Sequence, residues 1–92
     1  MKYLVHMDVD LPAEMPADQA AELRATEKAY SQELQRAGKW PEIWRVVGGH
    51  ASYSVLDVDS HDELHEILQK LPLFPYADIT VVPLAKHPSD VK

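Results

Sequence analysis

The hydrophobic residues of this chain switch repeatedly between two spacings, and that switching limits the folds that the chain can adopt. Residues 2–10 alternate apolar and polar side chains, which is the period of a strand with one buried face. Residues 16–38 follow the helical spacing of three and four, beginning at a proline and ending at a glycine. Two strand-like segments, a helical segment over about 61–71 and a last strand within 77–85 complete the chain. The predicted order is therefore strand, helix, strand, strand, helix, strand.

Turn and cap residues mark the boundaries between these elements. Gly48-Gly49 separates two runs rich in Trp, Ile, Val and Tyr, and paired glycines tolerate the positive φ of a tight hairpin. Ser60 and Glu63 have the spacing of a capping box, which predicts the start of the second helix. The segment LPLFPY ends that helix because its prolines cannot continue it.

This element order matches the split βαβ arrangement, so we predict an α+β fold of the ferredoxin-like βαββαβ type, an antiparallel sheet with two helices on one face. The 92 residues suffice for one core, and we expect a single domain over residues 1–92. The second sheet face, with residues such as Leu4, Val46 or Leu56, is expected to be apolar and to pack on another copy of the chain. A homo-oligomer is therefore expected.

Charge and composition exclude several classes of function. Fifteen acids against nine bases give a formal net charge of −6, which repels a phosphate backbone or an anionic membrane surface. No cysteine is available for a disulfide, a thiolate metal site or a thiol nucleophile. The start of the chain does not resemble a signal peptide and no apolar run is long enough to cross a bilayer, so we expect a cytoplasmic protein with no nucleic-acid or membrane partner. Five cations nevertheless fall in one stretch and leave room there for a local anion site: Arg24, Lys28, Arg36, Lys39 and Arg45.

A carboxylate interrupts the apolar face of the long helix. Glu27 occupies the helical position between Leu23 and Tyr30 at which another apolar residue is expected. A carboxylate drawn into an apolar face loses hydration, its pKa rises and it becomes a better base. Arg24 lies three residues earlier, close enough to pair with Glu27 or to hold a substrate anion beside it. The alternative is that Glu27 lies at the boundary of the buried face, solvated and paired with Arg24.

Other polar clusters give weaker signals. His61 and His65 lie four residues apart on a helix, as in zinc proteases, but Asp62 stands where that motif needs glutamate and no third ligand follows. We interpret this run as a solvated first helical turn and expect no metal site. No nucleophile elbow accompanies the serines and histidines, which argues against serine-type catalysis.

The second hairpin strand offers two sets of side chains. If the strand is regular, His50 and Ser52 share one face and Tyr53 points to the other, so His50 and Tyr53 cannot easily line one pocket. Aromatic residues at strand spacing are more often part of a core or an interface than of a substrate pocket. Four of them are still candidates for the wall of an apolar pocket: Trp40, Trp44, Phe74 and Tyr76.

Ordered matches to one family extend over nearly the whole chain. They are carried by the segments LRATEKAYSQELQRAGKWPEIWRVVG, YSVLDVDSHDELHEIL and LPLFPYADI. In these segments the chain resembles the muconolactone Δ-isomerase family. The resemblance implies a cofactor-independent isomerase of the β-ketoadipate route of aromatic degradation, which moves one proton of muconolactone, a small-molecule lactone, to give 3-oxoadipate enol-lactone. It also implies a homodecamer built as a ring of dimers, with pockets shared between subunits.

The same resemblance implies roles for individual residues. Glu27 matches the glutamate that the family uses as its proton carrier, so we expect it to act as base and then as acid. Lys28 and Tyr53 match the family directly, whereas Arg24 stands where a lysine is usual. We expect Tyr53 or His50 to donate to the oxyanion, and Arg24 with Lys28 to hold the substrate's carboxylate. The remaining substrate-binding candidates are Trp40, Ser52, Phe74 and Tyr76.

Departures from the family pattern fall near the expected pocket. His50 replaces a usual tyrosine, Ser52 a usual asparagine and Ala77 a usual methionine. They bear on the identity of the lactone more than on the type of reaction. Two alternatives follow, a paralogue acting on a methylated or halogenated muconolactone and a non-catalytic ferredoxin-like binding module.

Overall fold

The structure, a computed structural model, describes all 92 residues and begins with the elements predicted from periodicity. Strand β1 (Lys2–Val9) leads into helix α1 (Ala17–Arg36). The hairpin follows, with strands β2 (Glu42–Arg45) and β3 (Ser52–Asp57). Its turn contains Gly48 at a φ of 80°, a left-handed conformation that glycine adopts without steric cost.

The second half of the chain completes the sheet. Helix α2 (His61–Gln69) and a 3-10 turn (Phe74–Tyr76) precede the last strand, β4 (Ala77–Leu84). The strands form one antiparallel sheet in the order β2-β3-β1-β4. The predicted α+β fold of ferredoxin-like βαββαβ topology is therefore confirmed. No helix in it combines the length and the apolar character that crossing a membrane requires.

The core lies between the sheet and the helices. Alternate residues of β1 are buried on the side that faces the helices, and Leu56 of β3 is completely buried beside them. Helix α2 adds one apolar stripe, and Tyr30 of α1 donates a hydrogen bond from its hydroxyl to the Ile67 carbonyl at 3.3 Å. The buried members of β1 and α2 are Tyr3, Val5, Met7, Leu64, Ile67 and Leu68.

Side-chain caps fix the start of α2. Ser60 Oγ accepts a hydrogen bond from the Glu63 backbone N–H at 3.0 Å, as the capping-box spacing predicts. The Glu63 carboxylate accepts from the Asp59 backbone N–H at 2.8 Å, one residue before the position that a standard capping box uses. It also pairs with Lys39, which ties the α1–β2 connection to α2.

The open sheet face differs in part from the prediction. The open sheet face is the side of the sheet that is turned away from the helices. A shallow cleft on it is lined by Leu4, His6, Tyr53, Thr80 and Val82. Leu4 lies there as expected. Leu56 does not, because it is paired in register with Tyr3 and shares the buried face. Val46 lies beyond the end of β2, in the hairpin turn.

Candidate active site

A cavity of about 590 Å³ opens between α1 and the hairpin end of the sheet, and we call it the Glu27 cavity. This volume lies within the range of about 300–1,000 Å³ that is typical of small-molecule sites. From α1 it receives side chains spaced three and four residues apart, which a helix places on one face: Arg24, Glu27, Lys28 and Ser31. From the hairpin it receives Arg45, His50 and Ser52.

Glu27 is half-buried in the wall of this cavity. Its Oε1 accepts a hydrogen bond from the Leu73 backbone N–H at 3.1 Å. The pKa of Glu27 is raised above its ordinary value of 4.5, because burial disfavours the charged form more than the Leu73 hydrogen bond and the Arg24 charge favour it. Arg24 and Glu27 do not form an ion pair within the chain. The geometry is that of a partly desolvated base with one fixed donor.

The segment LPLFPY supplies that donor. Phe74 donates from its backbone N–H to the Leu71 carbonyl at 2.9 Å, and Tyr76 donates to the Leu73 carbonyl at 2.9 Å. These bonds close the 3-10 turn and leave the Leu73 N–H for the Glu27 carboxylate. Sequence reasoning missed Leu73 because a backbone donor has no side-chain signature, and the two prolines were the only sign of a fixed turn.

Positive charge predominates around the cavity, although the whole chain has a net charge of −6. Arg24, Lys28 and Arg45 line it, against the acids Glu27 and Asp10. The ion pairs within the chain involve Asp57 with the amino terminus and Lys39 with Glu63, so none of the three lining cations is neutralised in that way. The cavity therefore suits an anionic ligand, as the clustering of cations in the sequence suggested.

The structure brings most of the predicted site residues together. The Glu27 cavity is lined by Arg24, Glu27, Lys28, Trp40, His50 and Ser52. Trp40 is also part of the core, with only 2% of its surface exposed, and its indole Nε1 has no hydrogen-bond partner. Trp40 therefore forms part of the cavity wall and also packs in the core. Arg45, which lines the same cavity, was noted in the sequence only as one of the clustered cations.

Four predicted residues lie outside this cavity, among them Trp44, which is paired with Tyr53. Tyr53 points to the open sheet face, where its ring centroid is 4.7 Å from that of His6, because side chains alternate along β3. It therefore does not face Glu27 of the same chain. Phe74 packs against the core cluster, and Tyr76 accepts a hydrogen bond at its carbonyl from the Asp10 backbone N–H at 2.9 Å. Within one chain, Phe74 thus packs in the core and the Tyr76 backbone joins the 3-10 turn to the end of β1, and their role in substrate binding stays a prediction.

The histidines at the start of α2 lie apart from any cluster of metal-ligating residues. No group of three or more His, Cys, Asp or Glu side chains is arranged to hold a metal ion. His61 Nδ1 instead forms a hydrogen bond with the Tyr3 hydroxyl. The expectation of a metal-free protein stays a prediction.

Comparison with known proteins gives one consistent result. The sequence model of the family described as Muconolactone delta-isomerase matches residues 1–90. The chain is 61% identical over 92 residues to Muconolactone Delta-isomerase of Cupriavidus pinatubonensis, with 100% of both chains covered. It is 60% identical over 88 residues to Muconolactone Delta-isomerase of Rhodococcus opacus, covering 96% of this chain and 95% of the relative.

Solved structures agree with the sequence comparison. A crystal structure of muconolactone isomerase matches with a TM-score of 0.96 and 48% identity, covering 100% of this chain and 96% of that chain. A 5-chloro-2-hydroxyhydroquinone dehydrochlorinase from Burkholderia phenoliruptrix matches with a TM-score of 0.71 over 95% of this chain and 96% of that chain. Its identity is only 17%, so this second likeness concerns the fold alone.

Proposed function

This chain belongs to the muconolactone delta-isomerase family, and from that premise we propose that it isomerises muconolactone in the Glu27 cavity, with Glu27 as the proton carrier. Its relatives are isomerases that share its full length, so the chain is an enzyme of the isomerase class. The observation that carries the residue assignment is a half-buried carboxylate of raised pKa in a cavity with excess positive charge. The β-ketoadipate route is the metabolic setting of this proposal.

The reaction moves one proton within an unsaturated lactone. Muconolactone has an acetate arm on its five-membered ring. The hydrogen on the ring carbon that bears this arm is acidified through the conjugated carbonyl. Glu27 removes this proton, and the C–H electron pair enters the ring as a dienolate. The protonated Glu27 then returns the proton to the carbon beside the carbonyl, so the double bond shifts and Glu27 is regenerated as a carboxylate. A base with a raised pKa is better matched to both transfers at neutral pH.

Residues around Glu27 stabilise the charges of this reaction. The dienolate oxygen needs a hydrogen-bond donor, and of the two expected candidates only His50 faces the Glu27 cavity. We assign this role to His50, with Ser52 beside it in the wall. Arg24 and Lys28 add positive charge on the helix side of the cavity, which favours an anionic substrate. No step requires a metal or a redox cofactor.

A paralogue that prefers a methylated or halogenated muconolactone is the second candidate. It is favoured by one observation, which is that two of the residues that depart from the family pattern, His50 and Ser52, line the cavity itself. Rates on muconolactone and on its methylated and chlorinated analogues would rank the substrates. A higher kcat/KM for a substituted lactone would replace the first candidate with the second. The other alternative, a non-catalytic binding module, has no support from the relatives, which are isomerases.

Glu27→Gln tests the proposed function. The amide keeps the shape of the side chain and an oxygen that can accept from Leu73 N–H, but it cannot take a proton. A positioned base contributes about 10²- to 10⁴-fold, so kcat should fall by that factor, equivalent to about 3–5 kcal/mol of barrier. The measurement is the absorbance change of muconolactone with purified enzyme.

Glu33→Gln is the matched control, because Glu33 is exposed on the same helix and does not line the cavity. It should retain wild-type turnover. If Glu27→Gln turned over muconolactone at nearly the wild-type rate, the proton carrier would have to be another residue, and His50 would be examined next.

Assembly and location complete the proposal. We propose a homo-oligomer, in which a decamer built as a ring of dimers follows from the family resemblance. Support comes from large apolar side chains that remain exposed on the sheet and its last strand: Trp44, Tyr53, Val81, Val82 and Leu84. The cytoplasmic location expected from the sequence stays a prediction.

A further inference from the structure

We propose that Arg45 is the residue that recognises the carboxylate of the substrate's acetate arm, binding it from the sheet side of the Glu27 cavity. The inference rests on the proposed function, since it concerns how that substrate is held. It goes beyond the resemblance, which implied Arg24 and Lys28 as the anchors. Strand register, the charges of the chain and the position of each cation relative to the base all favour Arg45.

Strand register directs Arg45 into the cavity. Arg45 of β2 is paired with Ser52 of β3, and Ser52 is paired with Met7 of β1. Met7 is buried on the side that faces the helices, so the whole row lies on that side. The preceding residue, Trp44, pairs with Tyr53 and lies on the open sheet face. Arg45 therefore stands at the edge of the sheet beside Ser52, and both line the cavity.

Arg45 is available to a ligand. It is an exposed residue that forms no ion pair and no side-chain hydrogen bond within the chain. A guanidinium presents a planar fork of donors that matches a carboxylate with two parallel hydrogen bonds. Lys39, by contrast, is already paired with Glu63, and it does not line the cavity.

The position of Arg45 separates substrate binding from proton transfer. Arg24 lies on the same helix as Glu27, and its charge already lowers the pKa of that carboxyl, which works against a strong base. Arg45 is on the opposite element and is not among the groups that shift the pKa of Glu27. It can attract the substrate's anion from the sheet side of the cavity, away from the helix that carries Glu27. This division favours Arg45 over Arg24 as the group that recognises the arm.

The test compares muconolactone with its methyl ester, which has the same ring and no negative charge. In the wild type, kcat/KM should be higher for muconolactone with its free carboxylate, here called the acid, than for the ester. Arg45→Gln should remove most of this preference, about 10- to 100-fold for a charge-assisted bidentate contact, through a higher KM for the acid with kcat within about threefold. Arg45→Lys should lose part of the preference, because it keeps the charge but not the fork. The ester should respond little to either change.

Arg36→Gln is the matched control, since it removes the same charge from an exposed residue of α1 that does not line the cavity. It should keep the acid preference. The inference is overturned if Arg45→Gln preserves the preference of the wild type, or if Arg36→Gln lowers it equally. If Arg45→Gln does not fold, as judged by circular dichroism, the decision passes to Arg45→Lys, where an unchanged preference overturns the inference.

Failure of the proposed function gives a different pattern. If the wild type turned over neither compound, dissociation constants of the two would be measured by calorimetry instead. A binding preference for the acid that is lost in Arg45→Gln would then support the role of Arg45 while the proposed reaction fails. If the wild type isomerised muconolactone and Arg45→Gln left the preference for the acid unchanged, the proposed function would stand and the role of Arg45 would fail.

Discussion

At the scale of single residues, Glu27 combines two requirements that oppose each other. Burial raises its pKa, whereas the Leu73 hydrogen bond and the Arg24 charge stabilise the carboxylate form from which the proposed reaction starts. The net effect is a pKa above the ordinary value of 4.5. A raised pKa suits the role that we propose for Glu27, a carboxylate that takes a proton and then returns it.

This balance predicts the pH dependence of the enzyme. Only ionised Glu27 can accept the first proton, so kcat/KM should fall as the pH drops through the pKa of Glu27, at a pH above 4.5. Arg24→Gln removes a charge that lowers this pKa, so the acid limb of the profile should move to higher pH. Measuring kcat/KM against pH for the wild type and the variant checks the direction of the shift.

The charge-matched comparison is Arg36→Gln, whose exposed side chain lies outside the cavity and should leave the acid limb where it is. A limb that stays in place in Arg24→Gln, or that moves to lower pH, would mean that Arg24 does not act on the titrating group. In that case the group seen in the profile would not be Glu27.

The sequence predicted part of this site at residue level. Glu27 was identifiable because a carboxylate in an apolar helical stripe breaks a strong pattern, and Arg24 followed from its spacing to Glu27. Lys28 was one of the clustered cations and was assigned to binding by the family resemblance. Leu73 could not be identified from the sequence, since its contribution is a backbone N–H. Arg45 was not singled out, because its direction depends on the register between β2 and β3, which the periodicity of a four-residue strand does not determine. Tyr53 was placed in the site by resemblance, although alternation along the strand already pointed it the other way.

At the scale of elements, local signals were the most reliable. Helix α2 begins at His61 because Ser60 caps it, and the spacing from Ser60 to Glu63 was visible in the sequence. Helix α1 ends at Arg36, shortly before the predicted boundary, with Gly38 at a φ of 79°. The 3-10 turn was seen only as a break, because its function depends on a contact with Glu27 that lies far away in the sequence.

The cap of α2 gives a prediction about stability. Ser60→Ala removes the acceptor of the Glu63 N–H and should lower the free energy of unfolding by about 1 kcal/mol. Urea denaturation followed by circular dichroism measures this change. Turnover should be unaffected at temperatures where the protein is folded, because α2 contributes no side chain to the Glu27 cavity.

Ser89→Ala is the control for this substitution, since Ser89 lies in the exposed C-terminal segment outside any helix or strand. Its unfolding curve should superimpose on that of the wild type. A loss of activity in Ser60→Ala without a loss of stability would contradict a purely structural role for the cap.

At the scale of the whole molecule, the sheet is covered on one face only. The helices bury the inner face, whereas the open sheet face and the end of β4 keep large apolar side chains in contact with solvent. Val82, at 45% exposure, lies beside Leu4 in register on this face. Contiguous apolar surface of this kind on a small protein typically marks an interface. The sequence predicted such a face, although Leu56 proved to belong to the core.

Assembly through this face can be tested with one substitution. If the open sheet face packs against another copy of the chain, Val82→Glu places a charge in an apolar contact and should reduce the size of the oligomer. Light scattering coupled to size exclusion should find a large particle for the wild type, with a decamer containing ten copies of the 10.4 kDa chain, and a smaller one for the variant. Gln69→Glu adds the same charge to an exposed residue of α2 and should leave the mass unchanged. A wild type that is fully active as a 10.4 kDa monomer at micromolar concentration would contradict both the oligomer and the expectation that its pockets are shared between subunits.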